Sequence, residues 1–376
     1  MSSTDGRPTA PSSSSAWDHV LSRPGSTPVV EPNERLGTVG GTAAVPPQAP
    51  EDSRYELAAR PEPPPVPNGW YAATTSADLP AGAVHPLVAV GRELVVFRGE
   101  DGDAHVLDAH CVHMGAHLGG GTVQGGTVRC PYHHWRYDGD GTCVEIPYSS
   151  GRIPARACVR SYPTQEQDGL VLFWFHAGDA APSYRVPPVA ELVAPDWTGP
   201  REHRGELVAS LQDMAENNVD YTHFHFVHGR AALDESTSQF RTDGPFSSVV
   251  ETFDDGLVFT RRTYGPGIAT VAIPNLATIV TTTTPIDRRH VRLIWHFWFP
   301  PGMESAADDV IEAVIGAQGL AADEPIWRDK VFLERPLLVK GDGPILEFRR
   351  WYEQFYEGSR PERPRTAGAT DAGTIE

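Results

Sequence analysis

The chain has 376 residues, a formal charge of −18, 36 glycines, 35 prolines and four cysteines. So acidic a chain excludes a nucleic-acid surface, which needs clustered Lys and Arg; no run of about 18 apolar residues is present, so no membrane-spanning helix is expected. The length allows two domains. Four cysteines make no disulfide framework and point to a reducing, cytoplasmic setting, while the acidity suits solubility and the steering of a basic partner.

In chain order, residues 1–67 are rich in Pro, Ser, Gly and Ala and are expected to form a disordered leader, because they bury too little to offset their ordering entropy. The Ser-rich start lacks the apolar core of a secretory signal. A first domain, 68–180, reads as short strands, among them Leu94 to Phe97, Ala104 to Leu107 and Leu170 to Phe175, punctuated by Gly turns. A second domain, 181–357, opens with the Pro-containing link Ala181 to Pro188. It continues with a helix from Leu211 to about Phe226 and strands between Phe246 and Phe299, including Ala269 to Ile273 and Val291 to His296. Helices are expected again over Asp308 to Leu320 and Glu324 to Leu333, and a frayed polar tail over 358–376. The class is α+β: an all-β domain, then an antiparallel sheet gripping helices.

Cys111–Val112–His113 and Cys130–Pro131–Tyr132–His133 give C-x-H-x16-C-x2-H. Thiolates hold iron–sulfur clusters, and two imidazoles on one iron define a Rieske [2Fe–2S] centre. Two loop tips, each offering one Cys and one His, suit a clamp around such a cluster. Tetrahedral zinc takes the same donors but usually through C-x2-4-C and H-x3-5-H pairs, so it stands as the rival. His117 and His134 read as hydrogen-bonded loop residues, and Cys143 and Cys158 as small buried ones.

Glu216–Asn217–Asn218–Val219–Asp220–Tyr221–Thr222–His223 runs on to His228 as E-N-x-x-D-x-x-H-x4-H. Two histidines and a carboxylate make the facial triad of non-haem Fe(II), with positions left open for O2 and substrate. Residues five apart do not share a helical face, so His228 is expected past the helix end, with Gly229 as a stop. His225, on nearly the opposite face from His223, reads as a packing residue. Asp220, one turn before His223, is placed for its carboxylate to accept a hydrogen bond from that imidazole. The third ligand comes from elsewhere, and Asp323, Glu324 and Asp329 are the candidates.

Taken together, Cys111 to His117, Cys130 to Arg136 and Gly139–Asp140–Gly141 resemble the Rieske domain of ring-hydroxylating-type oxygenases. Respiratory Rieske proteins carry an extra cysteine in each loop; here Ala116 stands near the first such place and no cysteine closely follows His133. The segments His113–Met114–Gly115, Tyr137 to Tyr148, Gly341 to Ile345 and Arg349 to Tyr356 are similar to 3-ketosteroid 9α-hydroxylase oxygenases and to the Neverland-type cholesterol 7-desaturases. The resemblance spans about Gly69 to Tyr356.

The resemblance implies a Rieske domain followed by a helix-grip-like domain with mononuclear Fe(II). It selects Asp323 as the third iron ligand, puts Asn217 near the open iron position, and makes Asp220 the bridge from His223 to His133 of a neighbouring subunit in a homotrimer. It implies a terminal oxygenase that uses O2 and two electrons, drawn from NAD(P)H only through a separate ferredoxin and/or flavin reductase. Those electrons serve to oxidise an unactivated C–H bond of a hydrophobic polycycle, steroid-like or of secondary metabolism. Oxidative cyclisation or desaturation is the alternative outcome, and an electron-transfer protein without its own chemistry the remaining rival. Trp351, Tyr352, Phe355 and Tyr356 read as a core-packing stripe; the strands from Ile268 to Ile279 suit either a greasy pocket or core.

Overall fold

In the computed structural model, residues 61–189, 192 and 196–356 are described. The expected tail, and the expected leader up to residue 60, lie outside them; within 61–67, the Pro63 and Pro64 carbonyls accept hydrogen bonds from the Arg288 guanidinium.

The first half contributes β1 (Gly69–Thr75), β2 (Val84–Ala89), β3 (Arg92–Arg98), β4 (Ala104–Asp108), β5 (Thr122–Gln124) and β6 (Thr127–Arg129). There follow β7 (Arg136–Tyr137), β8 (Cys143–Glu145), β9 (Ser161–Tyr162), β10 (Thr164–Gln167) and β11 (Leu170–Phe175). They pair antiparallel in three sheets, ordered β1-β11-β10, β2-β3-β4-β9 and β5-β6-β7-β8. The strands expected from Val/Leu/Phe runs fall in β3, β4 and β11.

β11 shows why an unbroken apolar run was required. Its six residues are all buried, because successive side chains point to opposite faces and both faces are covered. Val171 and Phe173 pack with Tyr71, Val96 and Tyr162 on one side; Leu172 and Trp174 pack with Trp70, Val280 and Ile294 on the other. Each such side chain contributes about 1.5–3 kcal/mol by leaving water. The strand is therefore a middle layer joining the two halves, and Thr284 adds a hydroxyl hydrogen bond of 2.9 Å to the Ala72 carbonyl.

The second half contributes β12 (Thr198–Val208), α1 (Leu211–Glu216), α2 (Tyr221–Phe226), β13 (Gln239–Asp243), β14 (Phe246–Thr252), β15 (Val258–Tyr264), β16 (Ile268–Ile273), β17 (Ala277–Pro285) and β18 (His290–Phe299). Three helices follow: α3 (Ala307–Ile315), α4 (Leu320–Asp329) and α5 (Ile345–Tyr352). The strands form one antiparallel sheet of seven, ordered β12-β18-β17-β16-β15-β14-β13, onto which the helices pack. The α5 stripe, Phe348, Trp351 and Tyr352, continues through Phe355 and Tyr356 and buries against Val219 and Val249.

All three of these expected helices differ in their bounds from the sequence reading. The helix expected over Leu211 to Phe226 is two helices. Ser210 caps the first, Asn217 to Val219 turn through i→i−3 bonds, and Asp220 leaves helical geometry to cap the second. Short Asn and Asp side chains favour such breaks because they bond locally to the backbone. α3 stops at Ile315, before Gly316. α4 begins four residues earlier than Glu324, with Pro325 inside it removing only the bond to the Ala321 carbonyl, and it ends where Lys330 turns extended.

Candidate metal centres

The β4–β5 and β6–β7 connections carry the two Cys/His pairs in one shared backbone form. In the first, the Gly115 N–H donates to the Cys111 carbonyl at 2.9 Å, and Gly115 has φ +75°. In the second, the His134 N–H donates to the Cys130 carbonyl at 3.2 Å, and His134 has φ +62°. His134 thus fills the left-handed position that glycine fills in the sister loop, a conformation a non-glycine residue adopts at a cost. His117 is likewise structural: its Nδ1 accepts from the Gly119 N–H at 3.0 Å.

Cys111 and Cys130 are buried, and burial raises the Cys130 thiol above its ordinary pKa. The His113 and His133 rings lie 4.6 Å apart, and the Nδ1 of each is buried with no hydrogen-bond partner. Buried polar nitrogens are almost always bonded. Two such orphans beside two buried sulfurs are the donor set of a [2Fe–2S] cluster with mixed ligation, which the site fits.

Three supporting residues escaped the sequence reading. The Tyr137 hydroxyl lies 3.1 Å from Cys111 Sγ. Trp135 stacks on His113 at 4.6 Å and 6°, and its Nε1 donates to the Tyr148 hydroxyl at 2.9 Å. Their positions follow from β7 pairing with β8, and no local spacing announces that. Cys143 is buried as expected; Cys158 is exposed, because it sits on an irregular segment between buried Ala157 and Val159.

The second centre joins α2 to α4. His223 lies on α2 and His228 just past its C-cap, Val227, with Gly229 at φ +62°. His223, His228 and Asp323 bring one ligand atom each within 4.8 Å of one another. His228 Nε2 stands 3.4 Å from Asp323 Oδ2, and the two imidazoles are 5.1 Å apart at 76°. Burial lowers the His223 pKa, favouring the neutral form that binds metal. Glu324 is only half-buried and outside the cluster, and exposed Asp329 pairs with Arg328. Of the three candidate carboxylates, Asp323 is the one brought to the histidines. His225 points away, its Nδ1 2.8 Å from the Arg230 carbonyl. The set fits a facial 2-His-1-carboxylate iron.

Asp220 orients His223, though not through the expected group. The His223 Nδ1–H donates to the Asp220 backbone carbonyl, while Asp220 Oδ1 caps α2, accepting from the His223 N–H at 3.2 Å and the Thr222 hydroxyl at 3.1 Å. The helix break places the carbonyl, not the carboxylate, under the imidazole. Either way Nδ1 is occupied, leaving Nε2 for a metal.

A cavity of about 190 Å³ opens on this cluster. Phe224, Phe259, Ile268, Val271, Ile279, Trp295 and Trp327 supply its apolar walls, so the strands between Ile268 and Ile279 line a pocket. Asn217 also lines it and accepts from Trp327 Nε1 at 3.4 Å.

Two family profiles match: the Rieske [2Fe–2S] domain over residues 69–163 and the 3-ketosteroid 9α-hydroxylase C-terminal domain over residues 173–356. A probable 3-ketosteroid-9-alpha-monooxygenase oxygenase component of Rhodococcus rhodochrous is 34% identical, over 78% of this chain and 82% of its own length. The chain belongs to the Rieske non-haem iron oxygenases.

Its relatives in this family include cholesterol 7-desaturase of Ciona intestinalis, 33% identical over 80% of this chain and 70% of its own length. The 3-ketosteroid-9-alpha-monooxygenase oxygenase component of Mycobacterium tuberculosis is 31% identical over 77% and 81%. Among solved structures, dicamba monooxygenase superposes with TM-score 0.63 at 21% identity, over 78% of this chain and 98% of its own, which shows the shared fold. This oxygenase is therefore an oxidoreductase with a Rieske cluster and a mononuclear iron, an oxygenase component fed by a reductase. Among the described residues no helix is long and apolar enough to cross a membrane.

Proposed function

We propose that this oxygenase oxidises an unactivated C–H bond of a hydrophobic polycycle, steroid-like or of secondary metabolism, using O2 and two reductase-derived electrons. The observation that carries this reading is a single cavity whose wall includes His223, His228 and Asp323 at one place and mostly apolar side chains elsewhere. Relatives named for ketosteroid and cholesterol chemistry support the substrate class.

In this reading Cys111, Cys130 and the Nδ1 atoms of His113 and His133 hold the cluster, and His223, His228 and Asp323 hold the iron. When bound, the two groups supply electron delivery and O2 reduction. The chain's own residues do the rest. The apolar wall excludes water and positions the C–H bond; Asn217, anchored by Trp327, faces the same space as the iron ligands. Asp220 spends Oδ1 on the helix cap, and Oδ2 makes no hydrogen bond among the described residues, which suits a bridge to the partner subunit's His133 in a trimer. Exposed Met114, Tyr132 and Tyr148 around the cluster loops suit such a contact.

Purified holoenzyme with a surrogate reductase should consume NADH and O2 in a substrate-dependent way with some member of a sterol and polycycle panel. Only uncoupled consumption across the whole panel would overturn the assignment. Desaturation is the second reading, favoured by the cholesterol 7-desaturase relative, and the product's mass distinguishes loss of two hydrogens from gain of oxygen.

A further inference from the structure

The cavity is not wholly greasy. Phe259, Arg261 and Thr263, alternate residues of β15, all line it, as the period of two requires. On the neighbouring strand Glu251 is fully buried, and its Oε2 accepts from Arg261 Nε at 2.8 Å. Glu251 pairs with Phe259 across the strands, so the Glu251–Arg261 contact is the diagonal one on the same face. The guanidinium carbon stands 5.3 Å from the Phe224 ring and 5.7 Å from the Phe259 ring.

This arrangement leaves donors over. Among the described residues the Arg261 guanidinium bonds only through Nε, which leaves Nη1 and Nη2 without a protein partner in a residue that lines the cavity. Arg230 lines the same cavity with no ion pair or side-chain hydrogen bond among the described residues. A buried ion pair adds little stability over an apolar pair of the same volume, so its place in an apolar wall calls for a ligand. Glu251 offsets the charge of Arg261, and the carboxylate of Asp255 acts on Arg230.

We infer that Arg261, held by Glu251, docks a carboxylate at one end of the substrate, so that the substrate of this site is an acidic polycycle. The fork of a guanidinium matches a carboxylate through two parallel hydrogen bonds. Phe224, which the guanidinium covers, lies 5.8 Å ring to ring from His228, so the anchored end sits beside, not at, the iron ligands. A site built around charged donors rejects the analogue that leaves them unpaired. This inference rests on the assignment of the cavity as the substrate site.

The test is binding by anaerobic holoenzyme, read from the change in tryptophan fluorescence on adding probe, Trp295 and Trp327 lying in the cavity wall. The probes are lithocholic acid and the alcohol made by reducing its carboxyl. The acid should bind about 10- to 100-fold tighter, the range of hydrogen bonds to a charged group. Arg261→Gln with Glu251→Gln removes both charges without stranding one, and should bring the two probes within about twofold. Arg230→Gln, which leaves the pair intact, should keep most of the preference. Equal binding of both probes, binding of neither, or a preference that survives the double variant overturns the inference. Turnover of neutral sterols alone by the wild type would leave the proposed function standing while this inference fell; absence of all coupled turnover with preferential binding of the acid would leave a carboxylate-binding cavity but remove its assignment as the substrate site.

Discussion

Arg349→Met should destabilise the oxygenase by about 3–5 kcal/mol, a large fraction of an ordinary domain's stability. Arg349 on α5 donates from Nε and Nη2 to the two carboxylate oxygens of Glu216, each at 2.8 Å, and from Nη1 to the Leu333 carbonyl at 2.5 Å. Its guanidinium also lies 4.7 Å from the Phe332 ring. Glu216 is 6% exposed and, among the described residues, keeps only Gln212 Nε2, at 3.0 Å, once the arginine is gone. Methionine restores the volume but strands a buried carboxylate, so the cost is that of an orphaned charge and not of a lost surface pair, which would be about 0–1 kcal/mol. Glu216 ends α1, immediately before Asn217 and the turn to Asp220, so iron retention should fall with stability while the cluster spectrum persists. The assay is urea unfolding with metal content measured at each point. Glu216→Gln added to Arg349→Met removes the stranded charge and should recover part of the loss. A single-variant cost below about 1 kcal/mol, or a double variant as weak as the sum of the singles, would refute the clamp.

Three further outcomes are expected. Asp220→Asn should leave both metal sites filled and stop turnover, measured as metal content beside coupled O2 uptake; retained activity would remove the bridging role. Tyr137→Phe deletes the hydroxyl donated to the cluster-bound Cys111 sulfur, a bond that strengthens as the cluster gains negative charge on reduction. If about 1 kcal/mol of that bond is specific to the reduced state, redox titration should show the potential lowered by roughly 40 mV. Asp323→Ala should lower iron to about two per chain while acid-labile sulfide stays near two, by chemical analysis.

How legible each feature was depends on the range over which its cause acts. The Cys111/His113 and Cys130/His133 pairs and the His223–His228 spacing were readable because each sits on one short segment whose backbone is set by neighbouring glycine or capping residues. Asp323 came from a pattern match, and the fold then brought α4 against α2. The break at Asn217 to Asp220 was hidden because a helix-like apolar pattern continues through it, while local Asn and Asp bonding decides the outcome. Nothing along the chain links Glu251 to Arg261, Arg349 to Glu216 or Tyr137 to Cys111; register or packing makes those pairs. Cys158 was misplaced for the complementary reason, since cysteine's usual preference for the interior says nothing about one irregular edge.

The most direct test of two distinct iron sites in one chain is the stoichiometry of anaerobically purified protein, iron and acid-labile sulfide per polypeptide, with the Rieske absorbance recorded on the same sample. About three irons and about two sulfides are expected. Two and two after iron loading would leave a cluster protein without an oxygen-reacting centre, and a colourless protein without sulfide would contradict the account entirely.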